Sequence, residues 1–387
     1  MNKKELELYI HIPFCVRKCS YCDFLSAPAT EQTREAYMAA LFAEIGGRAK
    51  DYSDRTVTSI FIGGGTPSLL SGEQIGQLMD RIREQFAMAQ DAEITMEVNP
   101  GTVSAEKLRN FYTAGINRLS IGMQSAQAEE LKNLGRIHDF EGFCQVYREA
   151  VEAGFTNINV DIMSGLPGQT LASYRDTLEK VLHLEPIPQH ISAYSLIVEE
   201  GTPFAAMAER GELPLPEEET ERAMYEETIE VLAKYGFHRY EISNYARDGY
   251  ECRHNVGYWI RRDYLGFGIG AASLIDNVRF QNEKSLGTYL AHPLESREEE
   301  QTLTVQDRME ETMFLGLRLT RGVSCVDFAE QYGRTVEEVY GEVIARNVAD
   351  GLLTVTERKE NQKKDRFLAL TKRGLDLSNY VMAQFLF

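Results

Sequence analysis

The sequence predicts an α/β fold: a partial parallel (β/α) barrel followed by a small C-terminal winged-helix-like α+β domain. Short β-rich apolar runs alternate with longer helical patterns over roughly the first 300 residues, the strands repeat one apolar–polar split, and the order of elements changes after that point. Alternating strand and helix is the pattern of repeated βα units, which build a parallel sheet or barrel.

The first run is "LELYIHIP". Successive side chains of a strand face opposite sides, so Leu8, Ile10 and Ile12 share one face while Tyr9 and His11 share the other. The helical pattern "TREAYMAALFAEI" follows, then the strand "TVTSIFIGGG" and the helix "GEQIGQLMDRIREQF". In "AEITMEVNP", Ile94, Met96 and Val98 oppose Thr95, Glu97 and Asn99; in "NRLSIGMQS", Leu119, Ile121 and Met123 oppose Ser120, Gly122 and Gln124. "NINVDIMSG" sets Ile158, Val160 and Ile162 against Asn159 and Asp161, and "HISAYSLIV" adds a further strand. In a helix-covered barrel the apolar face meets the helices, the polar face points inward, and sites assemble at the C-terminal strand ends. Tyr9, Glu97, Gln124 and Asp161 are thus expected to line one cavity. The competing reading is that each satisfies local backbone groups near a loop end. Past residue 300, helical patterns around "DRMEETMFLGLRL", "CVDFAEQY" and "TVEEVYGEVIARNVADG" precede a hairpin-like pair, "LLTVTE" and "RFLALTKRG". The expected domains are therefore 1–300 and 301–387.

The composition, 43% hydrophobic and 26% charged over 387 residues, is that of a globular chain. A net charge of −18 repels phosphate backbones and anionic membranes. In the C-terminal domain the charges nearly cancel and only "RKENQKK" is basic, so nucleic acid is not expected as a partner. "MNKKELELYI" lacks an apolar signal-peptide core and no stretch has the apolar length of a membrane span, so a cytoplasmic protein is expected.

"CVRKCSYCDF" packs Cys15, Cys19 and Cys22 together, while Cys144, Cys252 and Cys325 are scattered. That is not a disulfide framework. A zinc site would need a fourth ligand from His11, Asp23 or a distant cysteine. Three thiolates on a cubane of four irons would instead leave one iron open. "GGGTP", Gly63 to Pro67, lets backbone approach a ligand closely. No Walker lysine follows it, and Ser68 stands where the dinucleotide pattern needs its last glycine.

The spacing C-x3-C-x2-C, with Tyr21 before the third cysteine, resembles the cluster motif of the radical S-adenosylmethionine (SAM) superfamily. The resemblance implies a [4Fe–4S] cluster on Cys15, Cys19 and Cys22, whose open iron binds the amino and carboxylate groups of SAM. It also implies that the glycine motif, here Gly64, Gly65 and Thr66, holds the methionyl amino group. Glu97, Gln124 and Asp161 would then hydrogen-bond the nucleoside, Arg136 would pair the carboxylate, and Tyr9 would sit beside cluster and SAM. Read alone, Arg136 in "LGRIHD" is equally a solvated helix-end charge.

"YIHIPFC", "GGGTPS", "SIGMQS" and "DIMSGLPGQT" are similar to the oxygen-independent coproporphyrinogen III dehydrogenase group, over nearly the whole chain. Two features depart from it: Phe24 stands where those enzymes carry a further cysteine, and the first strand begins almost at once where they carry an extension. With "CRHNVGYW", Cys252 to Trp259, these departures resemble the haem-chaperone (HemW) branch, whose signature is H-N-x-x-Y-W. The resemblance implies haem as cargo and haem-accepting proteins as partners. An electron donor such as flavodoxin or ferredoxin and a homodimer are also allowed for; the alternative is a radical enzyme that decarboxylates a porphyrinogen. His254 is the preferred haem ligand, with Cys252 as a rival and Arg253 as a partner for a propionate; the other reading of His254 is a hydrogen-bonded core residue.

Overall fold

The computed structural model describes residues 4–295, 297–360 and 363–386. Six parallel strands form its centre: β1 (Lys4–Ile12), β2 (Arg55–Gly64), β3 (Ala87–Val98), β4 (Arg118–Gln124), β5 (Ile158–Ser164) and β6 (His190–Ser195). Between them run α1 (Glu31–Arg48), α2 (Gly72–Gln85), α3 (Ala105–Thr113), α4 (Ala128–Leu134), α5 (Phe140–Glu152) and α6 (Leu171–Leu182). Local chemistry fixes several helix starts. Thr30 caps α1 by accepting the Thr33 N–H, and Ser71 with Gln74 and Thr170 with Ser173 form reciprocal capping boxes at α2 and α6.

The strand faces separate by period two. Leu8, Ile10 and Ile12 of β1, Met96 of β3 and Ile121 of β4 are fully buried in the main core with the helices. The opposite faces are brought level by the register, which pairs Ile12 with Gly64, Glu97 with Ser120, Gly122 with Asp161 and Asp161 with Ser192.

The barrel does not close. After α7 (Pro203–Glu209) and α8 (Glu218–Lys234), β7 (His238–Arg239) and β8 (Asn244–Ala246) extend the β6 edge antiparallel. α9 (Arg253–Trp259) leads to β9 (Tyr264–Phe267), which pairs in parallel with β1. β10 (Ala272–Ile275), β11 (Val278–Asn282) and, past α10 (Leu286–Ala291), β12 (Arg297–Thr302) complete a twelve-stranded sheet.

Beyond it, α11 (Val305–Gly316), β13 (Val323–Ser324), α12 (Cys325–Tyr332), α13 (Val336–Ala349), β14 (Leu353–Glu360) and β15 (Lys363–Leu370) surround a second core that includes Met313, Phe328, Leu353 and Leu368. Asn361 and Gln362, in the middle of "RKENQKK", lie outside the described residues. The two cores meet through apolar packing, Ile242 against the second core and Leu319 against Tyr240 and Ala246, and through polar contacts. Buried Glu311 of α11 takes Arg261 Nε at 2.8 Å and Arg279 Nη1 at 2.7 Å, and the Thr320 N–H donates to the Tyr240 carbonyl at 2.9 Å.

Candidate functional site

The cysteine loop follows β1 and is tied down along its length. Cys15 N–H donates to the Ala27 carbonyl (3.1 Å), Ser20 N–H to Leu134 (3.1 Å) and Cys22 N–H to Cys19 (3.3 Å), while the Arg17 guanidinium reaches the Gly135 carbonyl (2.6 Å). These bonds hold three half-buried thiols at the mouth of a cavity of about 330 Å³. Two donors face the sulfurs: Thr66 Oγ1 lies 3.5 Å from Cys15 Sγ and Arg136 Nη1 lies 3.7 Å from Cys19 Sγ. Burial raises the Cys22 thiol above its ordinary range.

The glycine run lies against the end of β1. Gly64 adopts φ +108°, and a Cβ on Gly65 would meet the Phe14 carbonyl oxygen at 2.7 Å and that of Ile12 at 2.9 Å. Only glycine fits this approach, so Gly64 and Gly65 line the thiol-bordered cavity with backbone. The Gly64 N–H donates to Glu97 Oε2 at 3.0 Å. Burial, with Asp161 nearby, pushes the Glu97 carboxyl up to about 7.

Asp161 receives Asn159 Nδ2 at 2.7 Å, and its carboxyl is also raised by burial. Gln124 sits at a register shift in β4 with φ +70°, in the left-handed region that favours glycine. Its Oε1 accepts from the Tyr194 hydroxyl at 2.9 Å. Such local strain persists where surrounding contacts fix it and is concentrated at functional sites. Arg136 follows Gly135, the left-handed cap of α4, and donates through Nη2 to the Gly122 carbonyl at 2.6 Å; its buried Nε has no partner among the described residues. Gly64, Gly65, Thr66, Glu97, Gln124, Arg136 and Asp161 all line the cavity that the three thiols border.

Tyr9 departs from the expectation. It lines a second, larger cavity of about 650 Å³, which shares Phe24, Gly64 and Glu97 with the first. There His11 Nε2 faces the Leu25 carbonyl at 2.8 Å and must donate, so Nδ1 accepts from the Tyr9 hydroxyl at 3.0 Å. The remaining walls include Tyr258 and Trp259 of α9, Tyr264 of β9, Arg279 of β11, and Phe314 and Leu315 of α11. Cys252, Arg253 and His254 do not line it.

His254 corrects a second expectation. It is 1% exposed, with Nδ1 at 2.9 Å from Ser59 Oγ, Nε2 at 3.0 Å from the Tyr258 hydroxyl, and its ring stacked on Phe61. Both nitrogens are occupied, and burial lowers the imidazole to about 3. Cys252 is also fully buried, its thiol pushed up to about 12, and Arg253 pairs with Asp91 at the surface. Glu93 accepts the backbone N–H groups of Arg253 and His254, both at 3.2 Å, and so holds the start of α9. The order of "HNVGYW" therefore packs His254 behind Tyr258, which faces the cavity.

The comparisons with known proteins agree over the whole chain. The radical SAM superfamily model matches residues 9–181 and the HemN C-terminal domain model matches residues 303–377. Heme chaperone HemW of Bacillus subtilis (strain 168) is 38% identical over 98% of this chain and 98% of its own length. The chain belongs to the HemW family. A second HemW relative, from Escherichia coli (strain K12), is 38% identical over 90% of this chain and 92% of its own length. Among solved structures, coproporphyrinogen III oxidase (HemN) of Escherichia coli, described as a radical SAM enzyme, aligns with a TM-score of 0.84 at 28% identity over 99% of this chain and 90% of that one.

In this HemW-family chain the donor set fits the superfamily's cluster: three thiols at one mouth, with glycine backbone and two donors facing the same space. Among the described residues no three His, Cys, Asp or Glu side chains converge on a single ion-sized point. Nor is any described helix long and apolar enough to cross a membrane. The sequence reading missed Tyr194 and Arg279. Tyr194 was open to the same period-two reasoning, because it shares parity with His190 and Ser192 in "HISAYS".

Proposed function

We propose that this protein is a haem-carrying chaperone. It holds a [4Fe–4S] cluster and SAM in the smaller cavity and haem in the larger, and delivers haem to haem-requiring proteins. The observation that carries the reading is the junction of the two cavities at Phe24, Gly64 and Glu97, which sets a thiol-bordered site against an aromatic one. The name of the relatives, heme chaperone, supports it.

Cys15, Cys19 and Cys22 hold the cluster, which supplies one-electron reducing power when bound. Backbone at Gly64 and Gly65 and the Thr66 hydroxyl receive the methionyl amino group. Arg136 pairs the carboxylate, while Glu97, Gln124 and Asp161 orient the nucleoside. Tyr9, Tyr258, Trp259 and Tyr264 offer aromatic surface to a macrocycle, and the volume of about 650 Å³ lies within the range of roughly 300–1,000 Å³ usual for cofactor pockets. Arg279, which lines the larger cavity and pairs with Glu311, is the cation that would meet a propionate there, rather than Arg253. An electron donor of the flavodoxin or ferredoxin class would approach at the cysteine loop, where Val16 and Phe24 are exposed. We also propose the domain division at residue 300, on the two separate cores.

The alternative, porphyrinogen decarboxylation, draws on the HemN likeness. Phe24, standing where the dehydrogenases resembled here carry a further cysteine, speaks against it. Anaerobic cluster reconstitution, haem titration and transfer to a haem-depleted acceptor protein test the chaperone. Stoichiometric haem binding and transfer are expected. SAM-dependent release of CO2 from coproporphyrinogen, with no haem binding, would replace this reading with the enzymatic one.

A further inference from the structure

Asp161 is held by a chain of hydrogen bonds whose direction is set at its far end. The backbone N–H of Cys252, which can only donate, points at the Tyr240 hydroxyl at 3.3 Å. That oxygen accepts, and its own proton is directed to His190 Nε2 at 2.9 Å. Since Nε2 accepts, the imidazole proton sits on Nδ1 and is donated to Asn159 Oδ1 at 2.6 Å. With its oxygen engaged, Asn159 presents Nδ2 to Asp161 Oδ1 and to Ser120 Oγ, both at 2.7 Å. His190, Asn159 and Cys252 are at most 1% exposed, and Tyr240 is 6% exposed.

One tautomer satisfies every member of the chain, and it is the neutral one. Burial, aided by Arg118, keeps His190 well below its ordinary range. Without the Nδ1 donor, Asn159 Oδ1 loses its shortest bond, and less opposes a turn of the amide that would set its oxygen against the Asp161 carboxylate, acceptor against acceptor. Ser192 Oγ, at 3.2 Å from Asn159 Oδ1, does not replace the donor, because its proton has a shorter path to Asn244 Oδ1 at 2.6 Å.

We propose that His190 is a positioning residue for SAM: through Asn159 it holds the Asp161 carboxylate in one orientation at the cavity wall, and through Tyr240 it ties that orientation to the start of α9. His190 lines neither cavity and acts only through its neighbours. The inference rests on the SAM reading of the smaller cavity.

The test is SAM affinity by calorimetry on the cluster-loaded full chain, for the parent, His190→Phe, His190→Asn, Asp161→Ala and the double variant His190→Phe/Asp161→Ala. A buried acceptor left unpartnered translates to a loss of about ten-fold or more for His190→Phe. His190→Asn, whose amide can take the place of Nδ1–H, is expected within about three-fold of the parent. In the Asp161→Ala background the phenylalanine should add nothing further. Parent-like affinity in His190→Phe, equal impairment of both His190 variants, or a loss that persists in the double variant would each overturn the proposal. Should His190→Phe fail to load the cluster, the volume-conserving Tyr240→Phe decides. A mixture of His190 tautomers in its imidazole ¹⁵N shifts, with weakened SAM binding, supports the chain, and an unchanged Nδ1–H form overturns it. If Asp161→Ala binds SAM normally, the cavity's assignment has failed instead, and the same ¹⁵N shifts judge the chain alone.

Discussion

Glu97→Gln should change stability in a way that depends on pH. The Glu97 carboxyl moves from an ordinary 4.5 to about 7 in the fold, chiefly by burial and then by Asp161. An acid whose folded value is raised favours folding when protonated, so its contribution is full below about 4.5 and is lost as pH rises through about 7. Integrating that difference, the parent loses roughly 2–3 kcal/mol between pH 5 and pH 8 through this group alone. Glutamine keeps an oxygen for the Gly64 N–H, whose bond to Glu97 is 3.0 Å long, and cannot ionise. Glu97→Gln should therefore lie within about 1 kcal/mol of the parent at pH 5 and exceed it by about 3 kcal/mol at pH 8. Urea unfolding of the cofactor-free chain at both pH values measures this. The same difference at pH 5 and pH 8 would show that the carboxyl is not titrating in a desolvated site, and the electrostatic description of the cavity would fall with it.

Replacing Cys15, Cys19 and Cys22 together by alanine should abolish the iron–sulfur absorbance and the reduced-cluster EPR signal, whereas Cys144→Ala should leave both intact. Gly65→Ala places a methyl against the Phe14 and Ile12 carbonyl oxygens and should displace the cysteine loop, read as faster loss of cluster absorbance on exposure to a chelator. His254→Ala removes the side-chain partner of the Tyr258 hydroxyl and one of the two of Ser59, which keeps Glu7, and should cost about 1–3 kcal/mol of stability. Its haem absorption spectrum should keep the parent's ligand type, and a changed axial ligation would restore His254 as the ligand. Glu311→Ala strips Arg261 and Arg279 of a buried partner and should loosen the C-terminal domain by about 3–5 kcal/mol, measured as faster limited proteolysis near residue 303.

Period-two reasoning suffices to group Glu97, Gln124 and Asp161, because in each strand the neighbouring positions of the other face are apolar: Met96 and Val98, Met123, and Val160 and Ile162. It fails for Tyr9, which obeys the same parity. Gly64 and Glu97 line both cavities and so stand between the two parts of the space that one face was expected to share. Strands β7 to β12 are two to six residues long, too short to show an alternation, and β9 finds β1 across more than 250 residues. Arg279 and Phe314 therefore could not be assigned to a wall from local pattern. "HNVGYW" names the residues of α9 but not which of them faces out. That choice depends on Ser59, Phe61 and Glu93, which come from β2 and β3.

Phe314 and Leu315 give the C-terminal domain a share in the larger cavity, although its fold and core are its own. A chain shortened to the barrel would keep Cys15, Cys19 and Cys22 and every residue proposed for SAM, yet its aromatic chamber would stand open on one side. One cut in the polypeptide would thus separate the thiol-bordered cavity from the enclosure of the aromatic one. Each half has a core of its own, and the two depend on each other in what they enclose.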